Sequence, residues 1–217
     1  ALVFVGSEMC IRDSLFTDTD TSLIQGSDSW KAARRGRIGG SDIAVIMRIS
    51  PYKTRLALWE EKTGRVVAPN IGNLPHVQRG IRAEPIARDI IEKRHQVSYT
   101  TPVLVHPEHD WAVASLDGLC DDHTLEIKTM SLEKHLDVRD GVVPDYYVAQ
   151  VLWGLMIANR ERGLFASYRP EDKSLYETWI ERDRKWEVEA TVKASDFINW
   201  VRSDTKPPDD FVFTWAG

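Results

Sequence analysis

The chain has 217 residues, 42% hydrophobic and 28% charged, with a formal net charge of −5 and a pI near 5.7. That length suits one large domain with a proper core, and the acidic balance excludes a general nucleic-acid coat while leaving room for an enzyme with a locally positive site. Two cysteines without a CxxC pair exclude a zinc ribbon or a four-cysteine iron–sulfur cluster within one chain and point to a reducing, cytoplasmic compartment, and no run reaches the roughly 18–20 apolar residues that a membrane span needs.

Residues 1–14 contain Val5-Gly6-Ser7-Glu8-Met9-Cys10-Ile11-Arg12-Asp13-Ser14, which resembles translated sequencing-adapter read-through. They are expected to be a non-native or disordered segment, with the folded domain over 15–217. Asp28 or Ser29 is the expected N-cap of a short basic helix, Trp30–Arg37. Gly39-Gly40 breaks it, and Ser41-Asp42 caps the next helix, Ile43–Met47. After the turn Ser50-Pro51-Tyr52, Thr54 caps a helix over Arg55–Lys62, with Gly64 as its C′ glycine. Val66–Leu74 reads as loop.

Pro75–Arg94 reads as a long helix from the spacing of Val77, Ile81, Ile86, Ile90 and Ile91, with Pro85 predicting a kink or restart near Glu84. Short runs with strand character follow at Gln96–Thr100, Val103–His106, Trp111–Ser115 and Thr124–Lys128. Val143–Asn159 is a buried helix, Gly163–Arg169 and Leu175–Ile180 alternate as strands, and Asp183–Arg202 is the last helix. This order predicts a single α/β domain, a mixed sheet flanked by helices. Several of the eight tryptophans fall in apolar runs, where core packing accounts for them.

The chemistry concentrates in Ala114-Ser115-Leu116-Asp117-Gly118 and Leu125-Glu126-Ile127-Lys128. Asp117 ends an apolar run, and Gly118 allows a tight turn. Glu126 and Lys128 are two apart on a strand, so they share a face while Ile127 points to the other. Two carboxylates on adjacent strands can hold a hard cation through oxygen, with the Ile127 backbone carbonyl as a further ligand. Lys128 beside them can orient or deprotonate a water and neutralise phosphate charge. Read alone, Glu126-x-Lys128 also fits an exposed salt bridge on a strand. The same duality holds elsewhere: Ser41 or Asp42 as a plain helix cap, Arg34 as part of a solvated basic face, Glu84 as an ordinary helix-surface residue. His106-Pro107-Glu108-His109 reads as a polar loop rather than a zinc site, and Tyr146 and Tyr147 as core or rim rather than base-stacking platforms. Gln150 on an apolar helix face is harder to set aside, because a buried amide needs partners.

Asp117…Glu126-x-Lys128 resembles the core motif of the PD-(D/E)xK nucleases, and its surroundings resemble the lambda exonuclease and YqaJ-type viral recombinase branch. Six blocks over roughly residues 25–200 carry the resemblance: Trp30…Arg34-x-Gly36-x-Ile38-Gly39-Gly40-Ser41-Asp42-Ile43, Gly80-Ile81-Arg82-Ala83-Glu84-Pro85, Ala114–Leu119, Leu125–Lys128, Tyr147-Val148-Ala149-Gln150-Val151, and Ile180–Asp183. Leu116, Arg79 and Leu152 depart from the family's usual proline, tryptophan and polar residue.

The resemblance implies a restriction-endonuclease-like fold and a Mg²⁺-dependent 5′→3′ exonuclease acting on double-stranded DNA from 5′-phosphorylated ends, with two Mg²⁺ ions and Mn²⁺ as a substitute. Asp117, Glu126, the Ile127 carbonyl and Glu84 would hold metal, Lys128 would be the catalytic lysine, and Gln150 would lean into the site. Arg34, Ser41 and Ser115 would bind the DNA 5′ phosphate. A homotrimeric ring around DNA and work beside a single-strand annealing protein in phage-type recombination are implied as well. The alternatives are a structure-specific or single-strand DNA nuclease of the same superfamily, and a protein that binds DNA ends without cutting.

Overall fold

A computed structural model describes residues 36–67, 69 and 71–208. Residues 1–14, the capping pair Asp28-Ser29 and most of the expected first helix, Arg34 included, lie outside the described residues. The first described helix, α1 (Gly40–Ile46), starts three residues before the expected Ile43, because the Asp42 carboxylate accepts the Gly39 N–H at 3.0 Å and closes the first turn from inside. Helix α2 (Arg55–Lys62) has the expected bounds, with the Thr54 hydroxyl accepting the Ala57 N–H at 3.2 Å and Gly64 at φ +76° just beyond its end. A short 3₁₀ turn, Ile71–Asn73, interrupts the segment read as loop.

Helix α3 (Pro75–His95) runs unbroken through Pro85, where a kink or restart was expected. Pro85 removes the partner of the Ile81 carbonyl, but Ile81 and Ile86 both face solvent, so water can take that carbonyl. The buried stripe of α3 is Ala83, Ala87 and Ile91, with Ile90 half-buried beside it, whereas Ile81 and Ile86 lie outside it. The expected strand Gln96–Thr100 does not form. Gln96 ends α3 in the left-handed region at φ +57°, the Glu92 side chain accepts the Tyr99 N–H at 2.7 Å, and only Thr100 makes an isolated bridge, to Leu119.

Six strands follow among the described residues: β1 (Val103–Val105), β2 (Val113–Ser115), β3 (Gly118–Leu119), β4 (Thr124–Lys128), β5 (Arg162–Arg169) and β6 (Ser174–Glu181). They form a two-stranded antiparallel pair, β1–β2, and a four-stranded sheet in the order β3-β4-β5-β6. β4 and β5 are parallel and the other pairs antiparallel, which makes the sheet mixed. Parallel neighbours need a crossover, and here it consists of α4 (Leu132–Arg139) and α5 (Asp145–Ala158). Helix α4 was not expected. Only His135 and Val138 of it are buried, so it carries no apolar stripe to read. The last described helix is α6 (Arg184–Arg202), whose first turn is capped by Asp183 accepting the Trp186 N–H at 2.9 Å.

Two apolar clusters sandwich the sheet. Ala83, Ala87 and Ile91 of α3 pack on Leu125, Ile127 and Leu164. Val151, Leu152 and Leu155 of α5 pack on Phe165 from the other side. A third cluster joins α1, α2, β2, α5 and α6 through Ile43, Leu58, Ala114, Trp153 and Phe197. Contact is close where α5 crosses β5: a Cβ on Gly163 would stand 2.7 Å from Val151 Cγ1 and 2.8 Å from Thr124 Oγ1. The crossover helix is therefore pressed onto β5, the parallel neighbour of the strand β4 that carries Glu126.

Candidate active site

The hairpin β3–β4 positions the two central carboxylates. Its register pairs Gly118 with Leu125, so continuing the ladder by one residue sets Asp117 beside Glu126. A Cβ on Gly118 would lie 2.9 Å from both the Leu125 side chain and the Tyr99 ring, so glycine is what lets the chain pass there. Asp117 is 8% exposed, and its Oδ2 accepts the Ile127 N–H at 2.8 Å. Arg88 fixes the same residue from α3 by donating Nε to the Asp117 carbonyl oxygen at 2.6 Å.

Glu126 is 5% exposed in the middle of β4. Its Oε1 accepts from Gln150 Nε2 at 2.7 Å and pairs with Lys128 Nζ. The strand period thus puts Glu126 and Lys128 on one face, as their spacing predicts, while Ile127 joins the apolar cluster under α3. Gln150 reaches Glu126 from α5 because α1 yields space: a Cβ on Gly40 would stand 2.9 Å from Gln150 Cγ. Lys128 Nζ also lies 5.5 Å from the centre of the Tyr147 ring. Glu84 comes from α3, one turn before Arg88, and pairs with it.

These groups share one electrostatic field. Burial, reinforced by Asp117 and Glu84, pushes the Glu126 carboxyl up to about 7, against the pull of Lys128. Burial and Asp117 likewise raise the Glu84 carboxyl, opposed by Arg88 and Lys128. Burial alone would lower the Lys128 ammonium, but Glu126 and Asp117 outweigh it and hold the group above its ordinary value. The arrangement is two buried carboxylates that repel one another, with one lysine against them.

Among the described residues, no three His, Cys, Asp or Glu side chains stand as a ready-made ion cage. Glu126 Oε1 is engaged by Lys128 and Gln150, and Glu84 by Arg88. The donor set still fits a hard divalent cation. Its atoms are carboxylate oxygens, and a cation would offset both the burial of the Glu126 charge and its repulsion by Asp117 and Glu84.

The residues expected to hold a 5′ phosphate are only partly placed. Arg34 lies outside the described residues. Ser41 is exposed in the first turn of α1, Ser115 ends β2 half-buried, and α1 packs against β2. The start of α1 also carries the chain's own carboxylate, since buried Asp42 accepts from Lys62 Nζ at 2.8 Å as well as from the Gly39 N–H. Sequence reasoning did not single out Arg88 or the role of Gly40. The i,i+4 spacing of Glu84 and Arg88 on a helix was the available signal for the first, whereas a packing distance between α1 and α5 has no local signature.

Comparison with solved structures gives the same architecture. The alkaline exonuclease LHK-Exo of Laribacter hongkongensis superposes with a TM-score of 0.71 at 25% identity, over 82% of this chain and 94% of that one, and it has also been solved in complex with dAMP. A phage-related exonuclease of Haemophilus somnus 129PT shares the fold at a TM-score of 0.58 and 10% identity, over 77% of this chain and 96% of that one. The fold is the restriction-endonuclease-like one. Among curated proteins, YqaJ of Bacillus subtilis strain 168 is 29% identical over 161 residues, 72% of this chain and 50% of its own length. Protein D345L of African swine fever virus is 27% identical over 164 residues, 62% of this chain and 46% of its own length. The chain thus spans about half the length of the curated relatives it matches. Residues 29–161, more than half of the chain, match the family model described as the YqaJ-like viral recombinase domain. The chain belongs to the YqaJ-like viral recombinase family.

Proposed function

We propose that this protein is a metal-dependent deoxyribonuclease of DNA recombination, a 5′→3′ exonuclease that degrades double-stranded DNA from 5′-phosphorylated ends. The observation that carries the reading is the buried pair Asp117 and Glu126 with half-buried Lys128 beside them, braced by Gln150 and flanked by Glu84. Family membership and the likeness to an alkaline exonuclease support it. Residues 15–217 would form the nuclease domain, with double-stranded DNA ends as substrate, a homotrimer as the assembly, a single-strand annealing protein as partner and the cytoplasm as compartment.

Asp117, Glu126, the Ile127 carbonyl and Glu84 would hold Mg²⁺, two ions in the full site, with Mn²⁺ able to substitute. Bound there, the cations would supply Lewis-acid activation of water and charge neutralisation at the scissile phosphate. The chain's own groups do the positioning. The Ile127 N–H fixes one Asp117 oxygen, and Gln150 fixes Glu126. Lys128, beside Glu126, would orient the attacking water and donate to a phosphate oxygen. Arg34, Ser41 and Ser115 would hold the terminal phosphate and so favour ends over internal sites. Phosphate contacts should make binding salt-sensitive and largely independent of sequence.

The deciding experiment uses a linear duplex with a 5′ phosphate on one strand, a closed circle, and Mg²⁺ or EDTA. Progressive loss of the phosphorylated strand, the circle intact and EDTA abolishing the reaction, is the expected result. A cut circle would replace the reading with an endonuclease on the same site, and binding without cutting would replace it with a DNA-end-binding protein. Ser41→Ala should reduce the preference for the phosphorylated end severalfold. An unchanged preference would place the phosphate pocket elsewhere.

A further inference from the structure

An aromatic row leads away from Lys128. Lys128 Nζ lies over Tyr147, the Tyr147 ring centre is 4.4 Å from that of Tyr146, and Tyr146 meets Tyr52 edge-to-face at 5.5 Å. The two outer hydroxyls are 3.3 Å apart. Lys134 donates to the Tyr146 hydroxyl at 2.9 Å and stands 5.4 Å from the centre of its ring. Three segments thus converge on one spot: the turn before α2, the start of α4, and the start of α5.

Two features are unexplained by packing. Tyr52 is 72% exposed, although a tyrosine kept for the core would bury its ring. Its position is nonetheless fixed, by Pro51 before it and by the Tyr52 N–H donating to Ser50 Oγ at 3.3 Å. Lys134 has no carboxylate within ion-pair distance among the described residues, and its only hydrogen-bond partner there is a tyrosine hydroxyl. An exposed aromatic face beside an uncompensated ammonium is the combination that binds an unpaired nucleotide, since the base supplies a π face and the backbone a negative charge. A base paired within a duplex has both faces covered by its neighbours, so the site suits a nucleotide that has left the stack.

We infer that Tyr52, Tyr146 and Lys134 form a stacking site for an unpaired nucleotide of a DNA strand next to the Asp117–Glu126–Lys128 centre, the base lying on Tyr52 and a phosphate at Lys134. The inference rests on the nuclease reading only for what the site serves. The row itself continues from Lys128 through Tyr147.

The test uses a 5′-phosphorylated octanucleotide with 2-aminopurine at one internal position, mixed with the whole chain in EDTA so that no turnover occurs. Stacking on tyrosine should quench the fluorophore on binding. Tyr52→Leu should abolish most of the quench and weaken binding roughly tenfold, while Tyr52→Phe keeps both. Lys134→Ala should lower the slope of log affinity against log salt by about one. An unchanged quench and affinity in Tyr52→Leu, or no binding by the unaltered chain, would overturn the inference. Duplex degradation in Mg²⁺ is read separately. A Tyr52-dependent quench without degradation leaves the stacking site standing and removes the exonuclease. Degradation together with an indifferent Tyr52 does the reverse.

Discussion

The Asp117 and Glu126 carboxylates each accept a hydrogen bond from an uncharged donor. Asp117 is tied to the Ile127 N–H and, through its carbonyl, to Arg88, and Glu126 is tied to Gln150. This arrangement lets a substitution remove charge while leaving shape. Asp117→Asn and Glu126→Gln should therefore keep the fold and most DNA binding while losing at least about 100-fold in cleavage rate. The second readout is thermal: Mg²⁺ at a hundred times its dissociation constant should stabilise the unaltered protein by about 2.7 kcal/mol and the variants by much less. Full activity in either variant would remove the carboxylates from the metal site. Lys128→Ala should depress kcat by more than about tenfold with KM little changed, because its charge is needed where the phosphate charge develops. A change confined to KM would make Lys128 a binding residue only. Asp117, Glu126 and Lys128 were legible in the sequence because a two-residue period and a glycine turn are local rules. Arg88 was not, because its carbonyl partner is 29 positions away.

At the scale of elements, what was legible depended on whether the signal was local. α2 was readable to the residue, since Thr54 and Gly64 are chemical punctuation at its two ends. α4 was hidden, because its buried residues are only His135 and Val138, while Leu132 is exposed and Leu136 half-buried. The stripe of α3 was read correctly at Ile91 and Ile90 but misplaced at Ile81 and Ile86, and Ala83 and Ala87 were missed, because alanine packs tightly against a sheet without looking hydrophobic in a pattern. Gly40 was read as a helix breaker, yet it sits inside α1, where its missing side chain makes room for Gln150. Gly40→Ala is thus a test of the α1–α5 contact. Helix propensity alone favours alanine by up to about 1 kcal/mol, whereas a Cβ 2.9 Å from Gln150 Cγ forces that side chain to move. Overpacking of this kind costs about 1–3 kcal/mol, so Tm should fall or at best stay level. Turnover should drop severalfold as Gln150 lets go of Glu126. A gain in Tm with full activity would show that Gln150 has room to spare and does not position Glu126.

The molecule as a whole is joined across its sheet and crossover by buried polar contacts as well as apolar ones. His135 is the clearest. It is 1% exposed on α4, with Nδ1 2.8 Å from the Ser167 hydroxyl on β5 and Nε2 2.8 Å from the Ser174 hydroxyl on β6. Burial holds its imidazole below the ordinary histidine value. In the unfolded chain the same ring titrates near 6.5, so as pH falls below that point the unfolded state takes a proton that the folded state refuses. Stability then falls with pH, by up to about 1.4 kcal/mol per pH unit until the folded value is reached. Glu126 and Glu84, whose carboxyls are raised, act in the opposite sense over the acid range, so the slope of the intact protein mixes several groups. A difference between two proteins isolates one of them. His135→Gln keeps a polar side chain without the titration, and it should cost about 1–3 kcal/mol at pH 7 through lost hydrogen bonds. Because only the unaltered protein carries the acid penalty of His135, the gap in Tm between the two should narrow steadily from pH 7 to pH 5. A gap that stays constant over that range would mean that His135 takes up its proton in the folded state as readily as in the unfolded one, and that the α4–β5–β6 junction can hold a charge.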